Sequence, residues 1–426
     1  MKHWFQQRPV LAWALYDWAN SAFATTVMAG FFPVYFRQFW SLGSDPAATT
    51  ARLGYANGAA GLVVALLAPY LGALADRSAR RKRWLAAWTA LGVLGALGLY
   101  FVGRGEWLAA ALLYCLGTMG FNGGIVFYDA LLPFVAAERD YDRVSAYGYA
   151  LGYVGGGALF AVNVLMVLHP AWFGLATPAA AVQFAFLGVA AWWALFTLPL
   201  LAGVAERSAT SAAGGVAEGV ATGAAGGWRE LWQTLRAARS QRPLWLFLVA
   251  YWLYIDGVNT VIKMAVDFGM AIGLPAAGLL GALLLTQFVA FPAALAFGWL
   301  GGRIGARRAI LLGIGVYTGV AFWAMVLDSV AAFYAMAIVV GLVQGGVQSL
   351  SRSLYARYVP AGKSAEYFGF YNMVGKFATV LGPVLIGLTA SLTGDARHAI
   401  ASVALLFIAG GVLLWRVQDQ PAGSSA

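Results

Sequence analysis

Few ionisable side chains interrupt the long apolar stretches of this sequence, and they are the residues best suited to chemistry. Asp17, Asp256 and Lys376 lie inside such stretches, and Asp129 lies near the end of another. A charge in hydrocarbon is costly unless it is paired or solvated, so each is a candidate for binding a solute or carrying a proton. The alternatives are structural: each aspartate accepts hydrogen bonds from its neighbours, or Lys376 is a fixed counter-ion of Asp17 or Asp256.

Helical spacing places amide side chains on the same faces as these charges. Asn20 shares a helix face with Asp17, Asn259 with Asp256, and Asn122 with Asp129. Gln344 and Gln348 share a face with Arg352. The candidates for binding a solute are Asp17, Asn20, Asn122, Asp256, Asn259, Gln344, Gln348 and Lys376, with Asp17 and Asp256 as proton carriers. A further lysine, Lys263, is expected to reach towards water or to pair with Asp267 one turn later.

The composition excludes a soluble protein. Of the 426 residues 61% are hydrophobic and only 10% are charged, whereas soluble domains carry about 25% charged residues. There is too little charge to cover a surface in water, which excludes a soluble enzyme, a disordered chain and a nucleic-acid-binding module. The single Cys115 excludes a disulfide framework and a cysteine metal site, and neither a metal nor a cofactor is expected.

Apolar stretches long enough to cross a bilayer predict twelve membrane-spanning helices. They cover residues 10–36, 52–75, 84–102, 107–130, 145–168, 180–203, 244–266, 276–300, 309–327, 329–354, 367–391 and 397–416. With both termini inside, the outer loops contain only Arg37, Arg52, Arg104 and Arg397 among the basic residues. Because cytoplasmic loops collect Lys and Arg, both termini are predicted to be cytoplasmic, and the net charge of +10 needs no nucleic-acid partner.

One long connection divides the chain. Residues 204–243 form the predicted linker, in which 208–227 are almost entirely Ala, Gly, Ser, Thr and Val. A helix lying on the membrane surface is predicted at 228–239. The predicted domains are therefore residues 1–203 and 244–417, each with six spans, followed by a tail at 418–426.

The two halves repeat one another in three places. Asp17-Trp18-Ala19-Asn20-Ser21 matches Asp256-Gly257-Val258-Asn259-Thr260, Gly72 to Arg77 matches Gly298 to Arg303, and Asn122-Gly123-Gly124 matches Gln344-Gly345-Gly346. Two similar halves of six spans are the architecture of a transporter that rocks around a central site. In the second copy Gly302 replaces Asp76.

The loop after the second span offers gating chemistry. Gly72 permits a close helix approach, Asp76 can face the positive N-terminus of a neighbouring helix, and Arg80 or Arg81 can bridge to an acid. Arg77 belongs to the same basic cluster. The alternative is that these arginines only set the membrane orientation.

This loop, Gly72 to Lys82, resembles the signature loop of the major facilitator superfamily. More narrowly, the sequence resembles its vacuole effluxer branch, which comprises autophagy-related amino-acid exporters and bacterial relatives. The motifs that carry this resemblance are Tyr16 to Ser21, Ser145 to Tyr153, Tyr254 to Gly257, Gly345 to Ser353, Gly375-Lys376-Phe377 and Gly382-Pro383. The resemblance implies an all-α integral membrane fold of two six-helix bundles, and a gate in which Asp129 is the acid and the eleventh span supplies the helix.

The expected function is secondary transport of a small polar solute by alternating access, coupled to protons as symport or antiport. An amino acid suits a site holding both an anion and a cation, and the resemblance also implies amino acids and efflux. No nucleotide-binding loop is present to use ATP. A lipid flippase and a transport-silent nutrient sensor on the same fold stay open as alternatives. The expected partners are the solute, protons and the bilayer, with the protein acting as a monomer in the plasma membrane.

Overall fold

The computed structural model describes residues 7–42, 46–78, 80–206, 241–274 and 276–417, together with the isolated Arg236 and Arg239. We refer to residues 7–206 as the N-terminal half and to 241–417 as the C-terminal half. Most of the predicted linker, the predicted surface helix apart from those two residues, and the tail at 418–426 lie outside the described residues.

All regular secondary structure in the described ranges is helical. The α-helices of six or more residues are α1 Arg8–Ala22, α2 Pro46–Ser78, α3 Arg81–Leu99, α4 Trp107–Ala130, α5 Tyr141–Leu168, α6 Pro178–Gly203, α7 Arg242–Ala271, α8 Ala276–Ile304, α9 Ala306–Trp323, α10 Val330–Ala356, α11 Ser364–Phe377, α12 Leu381–Thr393, α13 Ala396–Ala401 and α14 Ala404–Trp415. Beyond α1 the chain continues through wider π-helical turns at Phe23–Phe31 and Phe36–Trp40.

Ten helical segments among the described residues are long and apolar enough to cross a membrane. They match ten of the predicted spans; the first and third predicted spans are helical but are not among the ten. In the first, α-helical hydrogen bonding gives way to π-helical turns at Phe23. The helix of the third, α3, begins three residues before the predicted span with Arg81, Lys82 and Arg83, which lower the apolar character of the helix.

Close glycine contacts join the two halves at two related places. A Cβ on Gly72 of α2 would lie 2.2 Å from the carbonyl oxygen of Ala365 on α11. A Cβ on Gly298 of α8 would lie 2.4 Å from the Cβ of Ala146 on α5. Neither position can accept a side chain without moving a helix. The glycines are partners in the internal repeat, so the α2–α11 and α8–α5 contacts are equivalent.

The eleventh predicted span is interrupted. α11 ends at Phe377 and α12 begins at Leu381, so the chain leaves the helix over residues 378–380. Pro383 explains the position of the break, since a proline ring clashes with the carbonyl four residues earlier and offers no N–H.

Candidate functional site

The two halves meet through charged groups at one end of the helices. We call this end, which contains Arg81, Asp142 and Arg357, the basic end. α2 ends and α11 begins there. By the distribution of Lys and Arg it is the end predicted to face the cytoplasm.

Arg352 on α10 is the centre of the contact between the halves. Its Nε and Nη2 each donate to Ser145 on α5, at 2.8 Å to the hydroxyl and 2.8 Å to the carbonyl oxygen. Its Nη1 donates to the Asp129 carboxylate at 3.0 Å, and the Asp17 carboxylate lies 3.5 Å from the same nitrogen. Tyr128 donates to Asp17 at 2.7 Å. One buried guanidinium therefore binds α1, α4 and α5 together.

Aromatic rings enclose this arginine. The guanidinium carbon lies 4.5 Å from the ring centre of Tyr149, 4.9 Å from that of Trp13 and 5.2 Å from that of Tyr128. Arg352 is only 2% exposed. Rings that exclude water strengthen the electrostatic attraction, and their faces attract the cation. The site holds Arg352 as a desolvated ion pair rather than as a surface contact.

A second acid–arginine cluster lies nearer the rim of the basic end. Asp142 on α5 accepts from the Ser353 hydroxyl at 2.5 Å and pairs with Arg357 at 2.9 Å. In both clusters the carboxylates belong to the N-terminal half and the arginine to α10 or the residue after it. The charge complementarity therefore acts between the halves.

Asp76 occupies the start of α11. Its carboxylate accepts from the backbone N–H groups of Ala365 at 3.0 Å and Glu366 at 2.8 Å, and Arg81 pairs with it at 2.6 Å. The carboxylate thus satisfies donors that a helix start leaves free and lies at the positive end of the helix dipole.

The gating prediction needs one correction. Asp129 pairs with Arg352, not with Arg80 or Arg81; Arg81 instead pairs with Asp76. Arg77 and Arg80 are exposed at the basic end. The bridging arginine for Asp129 therefore comes from α10, across the contact between the halves.

Asp256 does not face an open cavity. It is fully buried, and its carboxylate accepts from the backbone N–H groups of Leu381 at 2.8 Å and Gly382 at 3.0 Å and from the Thr260 hydroxyl at 3.2 Å. Asn259 donates to the carbonyl of Ala378 at 3.1 Å. Solute contact by Asp256 does not fit this geometry. Asp256 and Asn259 instead hold the helix break.

Asp17, the repeat partner of Asp256 in the N-terminal half, lies beside a similar close glycine contact but has different hydrogen-bond partners. A Cβ on Gly152 of α5 would lie 2.7 Å from the Ser21 hydroxyl, and one on Gly382 would lie 1.9 Å from that of Thr260, the repeat partner of Ser21. However, α5 runs unbroken through Gly152. Asp17 has no free helix start to cap and pairs with Arg352 instead.

The remaining predicted solute ligands lie in two different environments. Gln348 accepts from the Tyr153 hydroxyl at 3.4 Å, across the halves, and Gln344 is buried on the same face. Asn20 and Asn122 are only 2% and 3% exposed, so the structure places them inside the N-terminal half. Neither amide lines an open cavity here, because helix packing has turned both inward.

Lys376 is half-buried in the last turn of α11. Within the described residues it forms no ion pair with Asp17 or Asp256, so the counter-ion alternative does not fit this arrangement.

Arg352 is the functional residue that the predicted site omitted. Its spacing from Gln344 and Gln348, which puts all three on one helix face, is visible in the sequence, but that spacing does not identify the partners of the arginine. An arginine on the polar face of an otherwise apolar helix is a candidate for a buried ion pair.

Comparison with known proteins gives consistent sequence matches. The family described as "Vacuole effluxer Atg22 like" matches residues 6–424. The "Uncharacterized MFS-type transporter YxiO" of Bacillus subtilis (strain 168) is 36% identical over 411 residues, covering 96% of this chain and 94% of that protein. Autophagy-related protein 22 of Yarrowia lipolytica is 26% identical over 293 residues, covering 62% of this chain and 48% of that protein. The match thus spans about half of the fungal protein.

Solved structures match over almost the whole chain. The proton:xylose symporter XylE superposes with a TM-score of 0.72 at 13% identity, covering 97% of this chain and 96% of that one. FucP in the outward conformation superposes with a TM-score of 0.71 at 13% identity, covering 98% and 100%. At this identity the likeness concerns the fold alone.

Proposed function

The chain belongs to the vacuole effluxer Atg22-like family of major facilitator transporters, and from that premise we propose that it moves a small polar solute across the membrane by alternating access, with amino acids as the solute class. It is an integral multi-pass membrane protein and not an enzyme. A bacterial relative of nearly equal length is consistent with the plasma membrane.

The proposed architecture is twelve spans in two pseudo-symmetric bundles of six, with both termini in the cytoplasm. The equivalent close contacts at Gly72 and Gly298 support the pseudo-symmetry, because each joins a helix of one half to a helix of the other. The basic end supports the orientation. The transporter is proposed to act as a monomer.

The observation that carries the proposal is the buried Arg352 pairing across the halves. An arginine bound to Asp129, Asp17 and Ser145 holds the basic end closed, and separating the halves there must break all of these bonds. A transporter with a closed cytoplasmic end offers its central site to the outside. Inward opening then requires something that weakens this pairing.

Proton uptake by Asp17 is the proposed trigger. Asp17 is 13% exposed, whereas Asp129 is 5% exposed, so Asp17 is the carboxylate of this pair that water reaches more easily. A neutral Asp17 no longer attracts Arg352, and the contact between the halves weakens. Asp76 and Arg81 are proposed to release α11 in the same transition.

The test uses proteoliposomes with an internal pH dye, challenged with pools of amino acids. One pool is expected to change the internal pH, and Asp17→Asn is expected to abolish that change. Asp140→Asn, an acid at the rim of the basic end, is the matched control and should behave as wild type. Labelled solute that crosses without any pH change would reject proton coupling and leave uniport. Binding without flux would identify a sensor, and movement of labelled lipid a flippase.

A further inference from the structure

We propose that the closed basic end binds a phosphate-type anion in a cavity between the two halves. The anion is either the headgroup phosphate of an anionic lipid or free phosphate from the cytoplasm, since both present the same oxyanion to the protein. The effect of this anion on the gate rests on the proposed alternating access, whereas the binding itself does not.

The cavity lies at the basic end and has a volume of about 230 Å³. Arg139 and Asp142 line it from the N-terminal half, and Gly302 and Arg357 line it from the C-terminal half. Pockets for drug-sized ligands have volumes of about 300–1,000 Å³. The smaller volume here suits an inorganic ion or a single headgroup phosphate.

Arginines outnumber the carboxylates in and beside this cavity. Its acid, Asp142, is already engaged, because it pairs with Arg357 at 2.9 Å. Arg139 is 86% exposed, and its Nε lies 3.5 Å from the carboxylate of Asp140. Arg143 on α5 is half-buried and, within the ranges that the structure describes, forms no hydrogen bond or ion pair. Arg143 is therefore a cation held at the contact between the halves without an acid to pair with.

The internal repeat shows what Arg143 lacks. Gly302 is the repeat partner of Asp76, whose carboxylate binds the start of α11 and pairs with Arg81. A Cβ on Gly302 would lie 3.5 Å from Nε and 3.9 Å from Nη2 of Arg143. An acidic side chain at this position would thus reach the guanidinium of Arg143, but the residue is glycine. An anion from outside the chain can supply the negative charge that the first copy carries itself.

The level of the cavity matches that of lipid headgroups. Trp299, one turn before Gly302 on α8, is 48% exposed, and the guanidinium carbon of Arg303 lies 3.8 Å from its ring centre. Tryptophan is enriched at the membrane–water interface, and basic pockets between spans on the cytoplasmic side bind anionic headgroups. Phosphate groups of the lipid and of the cytoplasm therefore both have access to this site.

An anion in this cavity bridges the two halves. Arg139 and Arg143 belong to the N-terminal half and Arg357 to the C-terminal half, and guanidinium groups bind phosphate through several N–H donors at once. Arg357 uses Nη2 for Asp142, and a guanidinium has further donors. Opening of the basic end separates these arginines, so an anion that binds only the closed arrangement increases the population of that arrangement.

The first test measures binding without transport. Purified protein is titrated with inorganic phosphate, with ionic strength kept constant by chloride, and the melting temperature is followed. Arg143→Gln should need about tenfold more phosphate for the same rise, as expected for the loss of a hydrogen bond between charged groups. Arg308→Gln, exposed at the start of α9 and outside the cavity lining, is the matched control and should respond as wild type.

The second test identifies the source of the anion. Native mass spectrometry compares the retention of phosphatidylglycerol and of zwitterionic phosphatidylcholine by the wild type and by Arg143→Gln. A preference for phosphatidylglycerol that Arg143→Gln loses identifies a lipid headgroup. A response to inorganic phosphate without that preference identifies free phosphate.

Gly302→Asp supplies the negative charge from within the chain and tests the effect on the gate. It should weaken the binding of both probes. Spin labels at Arg83→Cys and Lys363→Cys in an Arg352→Met, Cys115→Ala background report the distance between the halves. The bound anion, or Gly302→Asp without it, should increase the short-distance population.

An equal phosphate response in wild type and Arg143→Gln, with no preference between the lipids, would overturn the proposal. The arginines would then only set the membrane orientation. A distance distribution that neither the bound anion nor Gly302→Asp changes would overturn the bridging role. Because none of these measurements follows a solute, each of these results leaves the transport proposal standing.

Discussion

Replacing Arg352 with methionine should open the basic end. The substitution keeps an unbranched side chain between the aromatic rings but removes the three hydrogen bonds to Ser145 and Asp129. It leaves Asp129 and Asp17 without their shared cation. Removing one partner of a buried ion pair costs about 3–5 kcal/mol. Only the closed arrangement contains this pair, so its population relative to the open one should fall by roughly 10²- to 10⁴-fold.

The distance between the halves at the basic end reports this change. Spin labels at Arg83→Cys and Lys363→Cys, in a Cys115→Ala background, lie on exposed positions of opposite halves. Pulsed electron–electron double resonance should give one main distance between the two labels in the parent protein. With Arg352→Met the distribution should move to longer distances.

Two further variants make the result specific. Arg357→Met removes a pair whose arginine is 18% exposed, against 2% for Arg352, so it should cost less than Arg352→Met and shift fewer molecules to the open arrangement. Neutralising Asp17 and Asp129 together with Arg352→Met removes the unpaired charges and should restore part of the short-distance population. An unshifted distribution for Arg352→Met, or an equal shift for Arg357→Met, would refute the assignment of Arg352 as the lock.

Three other substitutions test the close contacts. Gly72→Ala should block closure of the basic end and reduce transport strongly, because its Cβ would lie 2.2 Å from a backbone oxygen of α11; Gly61→Ala, which meets nothing within 4 Å on the same helix, should be neutral. Gly382→Ala should lower stability by about 1–3 kcal/mol through overpacking against a threonine hydroxyl, measured as a lower melting temperature than Gly387→Ala, which has open space. Asp256→Asn should cost about 1–3 kcal/mol by leaving a backbone N–H of α12 poorly satisfied, and a melting temperature equal to wild type would contradict that capping role.

The candidate site could be predicted only in part. Asp17, Asp129 and Asp76 were recognisable because a carboxylate in or beside an apolar span is rare, and the structure brings all three to contacts between helices. Asp256 was recognisable for the same reason. However, the rarity of a carboxylate in an apolar span does not distinguish one that binds a solute from one that caps a helix N-terminus. The distinction came from the helix break, whose free N–H groups lie on a different span.

The sequence by itself determined the membrane class, the positions of ten of the twelve predicted spans, the repeat between the halves and the residues able to carry charge. These follow from the length of apolar stretches and from helical periodicity, which are local properties. Only the tertiary structure decided which charges meet. Asp129 and Arg352 are 223 residues apart, and Asp256 and Leu381 are 125 apart. Their pairing depends on how the helices of the two halves pack, because small changes in helix rotation decide which of several possible partners comes within hydrogen-bond distance.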